Sequence, residues 1–187
     1  MQVTFLDHSG FLVELDSAAL LFDWWKGELP AIKPGVPLYV FASHVHPDHF
    51  DPRIFTLDDG SREVRFILGH DIKLSSRNFS RWGVSPETAE KCRNLRGGET
   101  LELSGVSVEA LPSTDEGEAF LVTADGRTVF HAGDLNWWHW EGEDKGWNRN
   151  MEVNFKKYAE ALRGRCWSIF WRMSRNGRMN KSVNRNK

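Results

Sequence analysis

The chain has few cysteines and no long apolar run. Only two of its 187 residues are cysteine, Cys92 and Cys166, which argues against a disulfide scaffold and predicts a reducing, cytoplasmic location. No stretch of the sequence reaches the length of a membrane-spanning helix, and Met1–Asp7 predicts a β-strand rather than a signal peptide. With 40% hydrophobic residues, the composition predicts one domain with its own core and no membrane association.

Acidic residues are absent from the end of the chain. From Arg163 onwards there are eight Lys or Arg and no Asp or Glu, which leaves 16 basic and 26 acidic residues in 1–162, a net charge of −10. An acidic body does not favour nucleic acid, because phosphates are bound by Lys and Arg. The charge distribution therefore disfavours a nucleic-acid-processing function, and the partner that we expect is a small-molecule substrate.

Three histidines and one aspartate lie within six residues. The set consists of His44, His46, Asp48 and His49. The apolar residues 37–42 before it predict a buried strand, and Asp51-Pro52 after it predicts the start of a helix. Residues two apart in an extended segment point the same way, so His44 and His46 can bind one ion together. Asp48 and His49 follow in the turn and can reach a second ion nearby.

The run from His44 to His49 resembles the His-x-His-x-Asp-His motif of the metallo-β-lactamase superfamily. The resemblance covers 1–164 and implies an α/β (α+β) fold, the αβ/βα sandwich, with one or two metal ions at the edge of two sheets. It implies hydrolysis of a carbonyl or phosphoryl centre by a metal-activated water, with zinc favoured and iron or manganese as alternatives. Similarity to small stand-alone hydrolases of the ascorbate-phosphate lactonase type implies a lactone or phosphoester substrate.

A second motif supports the first. The sequence Gly133-Asp134 resembles the Gly-Asp motif of the superfamily, whose aspartate bridges the two metal ions. Asp134 is therefore the predicted bridging ligand, and Gly133 allows the backbone to approach closely. The resemblance also implies that Asp48 orients the attacking water in addition to binding metal.

The histidine that usually completes the first metal site of the superfamily is missing. The chain has no histidine between His70 and His131. Asp115, or in its place Glu116, is predicted to supply an oxygen ligand instead. The alternative is that this segment is a solvent-exposed loop connecting two strands.

Further candidates flank these motifs. His8 ends the first predicted strand, where related small hydrolases carry a histidine beside the metal, and is predicted to contact substrate; a histidine that bonds the turn backbone is the alternative. Asp23 is predicted to support a ligand histidine or its loop. After Asp134, the residues Trp137, Trp138 and His139 are predicted to line the substrate pocket, with core packing as the alternative.

Hydrophobic periodicity predicts the remaining elements. They are a three-stranded meander over 2–23, strands at 64–69, 100–104 and 106–111, a hairpin across 120–130 that turns at Asp125-Gly126, and helices at 86–94 and 148–162.

Residues 165–187 form an atypical basic tail. The superfamily normally continues here with a strand, an Asp/Pro turn, a helix and a final histidine ligand, and none of these is recognisable. We expect that the reading frame shifts or the chain is truncated near Gly164–Trp167, so that the second ion loses its last ligand. A metal-binding or metal-free pseudoenzyme is therefore the alternative to an active hydrolase. A native basic tail that binds anions is the alternative explanation of the tail.

The gene sequence tests the frame hypothesis. Translating the nucleotides beyond Gly164 in the other two frames should restore a Pro/Asp turn and a terminal histidine in one of them. Their absence from both frames would contradict the hypothesis.

Overall fold

The computed structural model describes residues 1–165 and, as backbone only, the strand at 168–170. The N-terminal half forms a sheet in which strand order follows chain order. The first two pairings are antiparallel and the next three are parallel. The strands are β1 (Gln2–Asp7), β2 (Gly10–Glu14), β3 (Ala19–Phe22), β4 (Leu38–Ala42), β5 (Val64–Gly69) and β6 (Cys92–Leu95).

A second sheet has the order β11-β10-β9-β8-β7. Its strands are β7 (Thr100–Leu103), β8 (Val106–Pro112), β9 (Glu118–Ala124), β10 (Arg127–His131) and β11 (Ser168–Phe170). Asp125 and Gly126 join β9 to β10 and both have positive φ, 51° and 68°, as the predicted two-residue hairpin requires.

Helices cover the outer faces of the two sheets. A 3₁₀ helix (Pro52–Leu57) and α1 (Ser76–Trp82) lie on the first sheet, and α3 (Lys145–Ala161) lies on the second. A one-turn helix, α2 (Pro86–Ala89), precedes β6. Between the sheets is a core that includes Phe22, Phe41, Phe120 and Val129. These four layers confirm the predicted sandwich. Among the described residues, no helix has the length and apolar character needed to cross a bilayer.

The helix predicted at 86–94 is wrong in its second half. The helix α2 ends at Ala89, and Cys92–Leu95 is a strand that pairs in parallel with β5. Pairing with β5 gives these residues backbone partners that local preference does not anticipate. The helix α1 has no counterpart among the predicted elements, although Ser75 caps its start and Gly83 ends it in the left-handed conformation.

The backbone of the tail contains one strand that the sequence analysis did not expect. The strand β11 pairs in parallel with β10 over three residues and covers its edge. The prediction that no strand follows Gly164 is therefore wrong. The other predictions for the basic tail fall on 166–167 and 171–187, which lie outside the described residues.

Three glycines enclose Ser43, the residue before the histidine cluster. A Cβ added at Gly69 or Gly117 would lie 2.2 Å from the Ser43 carbonyl oxygen, and one at Gly133 would lie 2.7 Å from Ser43 Cβ. Only glycine permits these approaches. The ends of β5 and β10 and the start of β9 therefore converge on the end of β4.

Replacing Gly117 by alanine tests how much of the stability depends on the close approach to Ser43, as distinct from the strain of a side chain at positive φ. Gly105 is the matched control, because its φ of +74° is near the +70° of Gly117 and none of the described atoms lies within 4 Å of an added Cβ. Gly105→Ala should cost about 1–2 kcal/mol of unfolding free energy for the left-handed backbone. Gly117→Ala should cost about 1–3 kcal/mol more for the forced contact. Equal losses in chemical denaturation would refute the packing role.

Candidate metal centre

The histidine motif lies at the edge of the sandwich where three strands end. It follows β4, which ends at Ala42; the segment after β10 brings in Asp134, and the turn after β1 brings in His8. Side chains from distant parts of the sequence therefore meet at one edge of the two sheets. They form two groups that offer ligand atoms for metal ions.

The first cluster consists of His44, His46 and Asp134. His44 Nε2 lies 3.0 Å from His46 Nδ1 and 3.9 Å from Asp134 Oδ2. The two histidines converge as the extended spacing predicts. Because His44 and Asp134 are buried while His46 is half-buried, the cluster has one side open to solvent.

The second cluster consists of His8, Asp48 and His49. Asp48 Oδ2 lies 3.0 Å from His8 Nε2 and 4.0 Å from His49 Nε2. All three ligand atoms lie within 4.8 Å of one another.

Asp134 connects the two clusters. Its Oδ2 faces His44 Nε2, and its Oδ1 lies 3.2 Å from His49 Nε2. A carboxylate with one oxygen towards each group of imidazoles is in the position expected of the bridging ligand.

Asp23 lies beneath both clusters and is fully buried. Its carboxylate accepts hydrogen bonds from the backbone N–H of Ser43 at 2.7 Å, from His49 Nδ1 at 2.7 Å and from His131 Nε2 at 2.8 Å. Burial opposes its ionisation, but His131 and His49 outweigh burial and hold the pKa of the carboxyl far below its usual range. Asp23 therefore makes the predicted contacts with a histidine of the motif and with the backbone before it, while the metal-binding role of His49 stays a prediction.

Hydrogen bonds to Ser43 fix which nitrogen of His44 can bind metal. The Ser43 hydroxyl donates to Asp23 Oδ2 at 2.8 Å and lies 2.9 Å from His44 Nδ1. The hydroxyl proton points to the carboxylate, so Nδ1 of His44 donates to Ser43 and its Nε2 keeps the lone pair. Burial, together with the charge of His49, lowers the pKa of His44 and favours this neutral form.

His49 shows that the donor set fits a metal ion. Burial opposes its charge, but Asp23 and Asp134 raise its pKa to about 10. Its Nε2 is buried and makes no hydrogen bond within the described part of the chain, although two carboxylates lie near. A divalent cation would replace the proton at this nitrogen and would neutralise both carboxylates.

The loop before β9 brings Glu116, not Asp115, to the first cluster. Glu116 Oε2 lies 3.4 Å from His46 Nε2. Asp115 is exposed and belongs to neither cluster; its backbone N–H bonds Ser113 Oγ at 3.2 Å. Glu116, the alternative in the prediction, therefore contacts a residue of the first cluster, but it faces Nε2 of His46, whereas Nδ1 is the nitrogen that faces His44.

In the tryptophan segment (137–140), the side chain of Trp138 contacts the candidate site. The indole N–H of Trp138 donates to the backbone carbonyl of Asp134 at 3.2 Å, and its ring stacks on Trp140 with centroids 6.0 Å apart. Trp137 packs against Phe155 of α3. The side chains of Trp137 and His139 are exposed.

Sequence reasoning missed the roles of His131 and Ser43. Both residues stand beside motif residues, but their shared partner Asp23 lies 108 and 20 residues away in the sequence. The available signal was positional: each occupies the end of the strand that leads into a motif.

Comparison with known proteins identifies the family. The family model described as Beta-lactamase superfamily domain matches residues 2–141, so the chain belongs to this superfamily. A protein of Opitutus terrae is 28% identical over 156 aligned positions, and the match covers 72% of this chain and 63% of the relative. One of Korarchaeum cryptofilum is 32% identical over 151 aligned positions, and the match covers 72% of this chain and 60% of the relative. Both are named UPF0173 metal-dependent hydrolase.

The chain spans about three fifths of the length of these curated relatives. Among solved structures, it is similar to CmlA, a diiron beta-hydroxylase from Streptomyces venezuelae. The TM-score is 0.52 at 17% identity, over 73% of this chain and 30% of that one. At this identity the similarity supports the fold alone.

Asp23→Asn should destabilise the metal-free protein by about 3–5 kcal/mol, because it removes the buried carboxylate that bonds the protonated ring of His49 and the ring of His131. Asp125→Asn is the matched control: both aspartates have positive φ, 42° and 51°, and both bond a serine, but Asp125 is exposed. The control should change stability by about 0.5 kcal/mol or less. Equal unfolding free energies for the two variants in urea titrations would contradict this electrostatic role.

Proposed function

We propose that the chain is a metal-dependent hydrolase with a two-metal centre. The observation that carries the proposal is the position of Asp134 between two groups of imidazole and carboxylate donors. The relatives named metal-dependent hydrolase support the reaction class. Imidazole-rich sites suit zinc, which we favour, with iron or manganese as alternatives.

Each cluster has a defined part in this function. His44, His46 and Asp134 would hold the first ion, and Asp48, His49 and Asp134 would hold the second. Ions bound there would lower the pKa of a water towards neutrality and stabilise negative charge that develops on the substrate. Asp23 fixes the ring of His49, and Ser43 fixes the ring of His44.

Asp48 is the carboxylate suited to orient the attacking water. Its side chain is 36% exposed, whereas that of Asp134 is 5% exposed. Asp48 therefore borders solvent beside the buried ligands and can accept a hydrogen bond from a water there. This assignment keeps the dual role that the superfamily motif implies.

The proposed substrate is a small lactone or phosphoester. Trp138 is fixed to the backbone of the bridging residue and stacks on Trp140, which supports an aromatic wall next to the centre for a flat ring. Trp137 and His139 are proposed to extend this wall. A cytoplasmic location, with neither a nucleic-acid nor a membrane partner, belongs to the same proposal.

A pseudoenzyme that binds metal without turnover is the second candidate. Within the part of the chain that the structure describes, the first cluster has only two imidazoles, and Asp115 does not belong to it. Turnover requires that the three donors of this cluster hold an ion with an open coordination position.

Metal content tests the proposal directly. The purified protein should contain about one to two divalent ions per chain, and His46→Ala should lose the ion of the first cluster because it removes one of three donors. His70→Asn is a matched control: the side chain of His70 is 37% exposed, against 43% for His46, and it lies outside both clusters. A well-folded wild-type protein that binds no metal would refute the proposal. Metal binding without hydrolysis of lactones or phosphodiesters would favour the pseudoenzyme.

A further inference from the structure

We propose that His8 is a protein ligand of the second metal ion, so that the turn after β1 completes this subsite. The inference rests on the proposed function, because it requires a metal ion at the second cluster. It replaces the substrate contact that the sequence predicts for His8. It also supplies the last donor that the sequence analysis expected to be lost with the C-terminal histidine.

The distances place His8 among the donors. Its Nε2 lies 3.0 Å from Asp48 Oδ2 and within 4.8 Å of the His49 ligand atom. Metal–ligand bonds of about 2.0–2.2 Å put the ligand atoms of one ion roughly 3–4 Å apart. A small inward movement of the second cluster around a cation therefore satisfies all three side chains.

The local backbone turns His8 towards the centre. The register of β1 against β2 shifts between Phe5 and Asp7, and His8 then takes a positive φ of 52°. The edge of its ring meets Trp25 with centroids 6.2 Å apart, and it meets His49 at 5.6 Å. A non-glycine residue in this conformation, packed between two rings, is held in place before any ligand binds.

The number of donors assigns different roles to the two ions. With His8, the second ion would have four protein donors: the three of the second cluster, and Asp134 Oδ1, which lies 3.2 Å from His49 Nε2. The first ion has three, from His44, His46 and Asp134 Oδ2. Zinc with four protein ligands is coordinatively closed, whereas zinc with three keeps an open position. The first ion is therefore the one with a coordination position for solvent or substrate.

The competing role for His8 is a hydrogen bond to Asp48 without metal contact. Glutamine distinguishes the two, because its amide nitrogen can donate to Asp48 from near the position of Nε2 but is a poor metal ligand. Asparagine tolerates positive φ and is too short to reach Asp48. His8→Gln thus keeps the hydrogen bond and removes the ligand, whereas His8→Asn removes both.

The experiment measures Zn²⁺ stoichiometry by equilibrium dialysis of the full chain, and Mn²⁺ loading by electron paramagnetic resonance. Wild type and His70→Asn should bind two ions and show a spin-coupled manganese pair. Both His8 variants should retain one ion and show an uncoupled Mn²⁺ signal. The affinity for the second ion should fall by more than the roughly 10- to 100-fold that loss of an outer hydrogen-bond partner costs. Circular dichroism of the metal-free variants checks that they are folded.

Four results would overturn the inference. Two ions bound with unchanged affinity in both His8 variants would exclude His8 as a ligand and leave the two-metal hydrolase intact. Loss in His8→Asn but not in His8→Gln would assign the hydrogen-bonding role. A single wild-type ion that His46→Ala loses and His8→Asn retains would show that the second subsite does not bind metal. A wild-type protein without metal would refute the inference and the proposed function together.

Discussion

The buried carboxylate of Asp23 holds together the segments that carry the candidate metal centre. It lies at the end of β3 and accepts bonds from the end of β4, from His49 after β4 and from His131 at the end of β10. An ionised carboxylate without partners would be several kcal/mol too costly at full burial. The segments are therefore tied to their positions by the need to compensate one charge. The two sheets meet at this point, because His131 belongs to the second sheet and the other partners follow the first.

Close backbone packing adds precision to this electrostatic anchor. Gly69, Gly117 and Gly133 approach Ser43 more closely than any side chain would allow, and the N–H of Glu118 donates to the Ser43 carbonyl at 3.1 Å. The position of Ser43 in turn determines the orientation of the His44 ring, because its hydroxyl bonds both Asp23 and His44. The orientation of a candidate ligand thus follows from a chain of contacts that begins in the core. A displacement of about an ångström in a catalytic group is costly to function. The three glycines limit such displacement, because they let the backbone pack directly against Ser43.

Residues that are close in sequence account for most of what could be predicted. The spacing of His44 and His46 after a strand predicted one half of the candidate site, and the resemblance of Gly133-Asp134 to a superfamily motif supplied the other half. The sequence could not predict whether Asp115 or Glu116 faces the histidines. Neighbouring residues in a loop point in different directions, and Gly117 turns the chain there with a φ of +70°. The contact of His8 with Asp48 joins residues 40 positions apart through a bulged hairpin. The strand at Cys92–Leu95 depends on β5 for its partners, so no local pattern could reveal it.

The order of strands in the first sheet has a consequence for biosynthesis. Every pairing in that sheet joins strands adjacent in the sequence, so the sheet can assemble progressively as the ribosome releases the chain. His8, Asp48 and His49 all belong to the first 49 residues, and Asp23 can already compensate the charge of His49. The first cluster is complete only after Asp134 has been synthesised, 85 residues after His49. The nascent chain therefore carries three of the four donors proposed for the second ion long before Asp134 emerges to face both clusters.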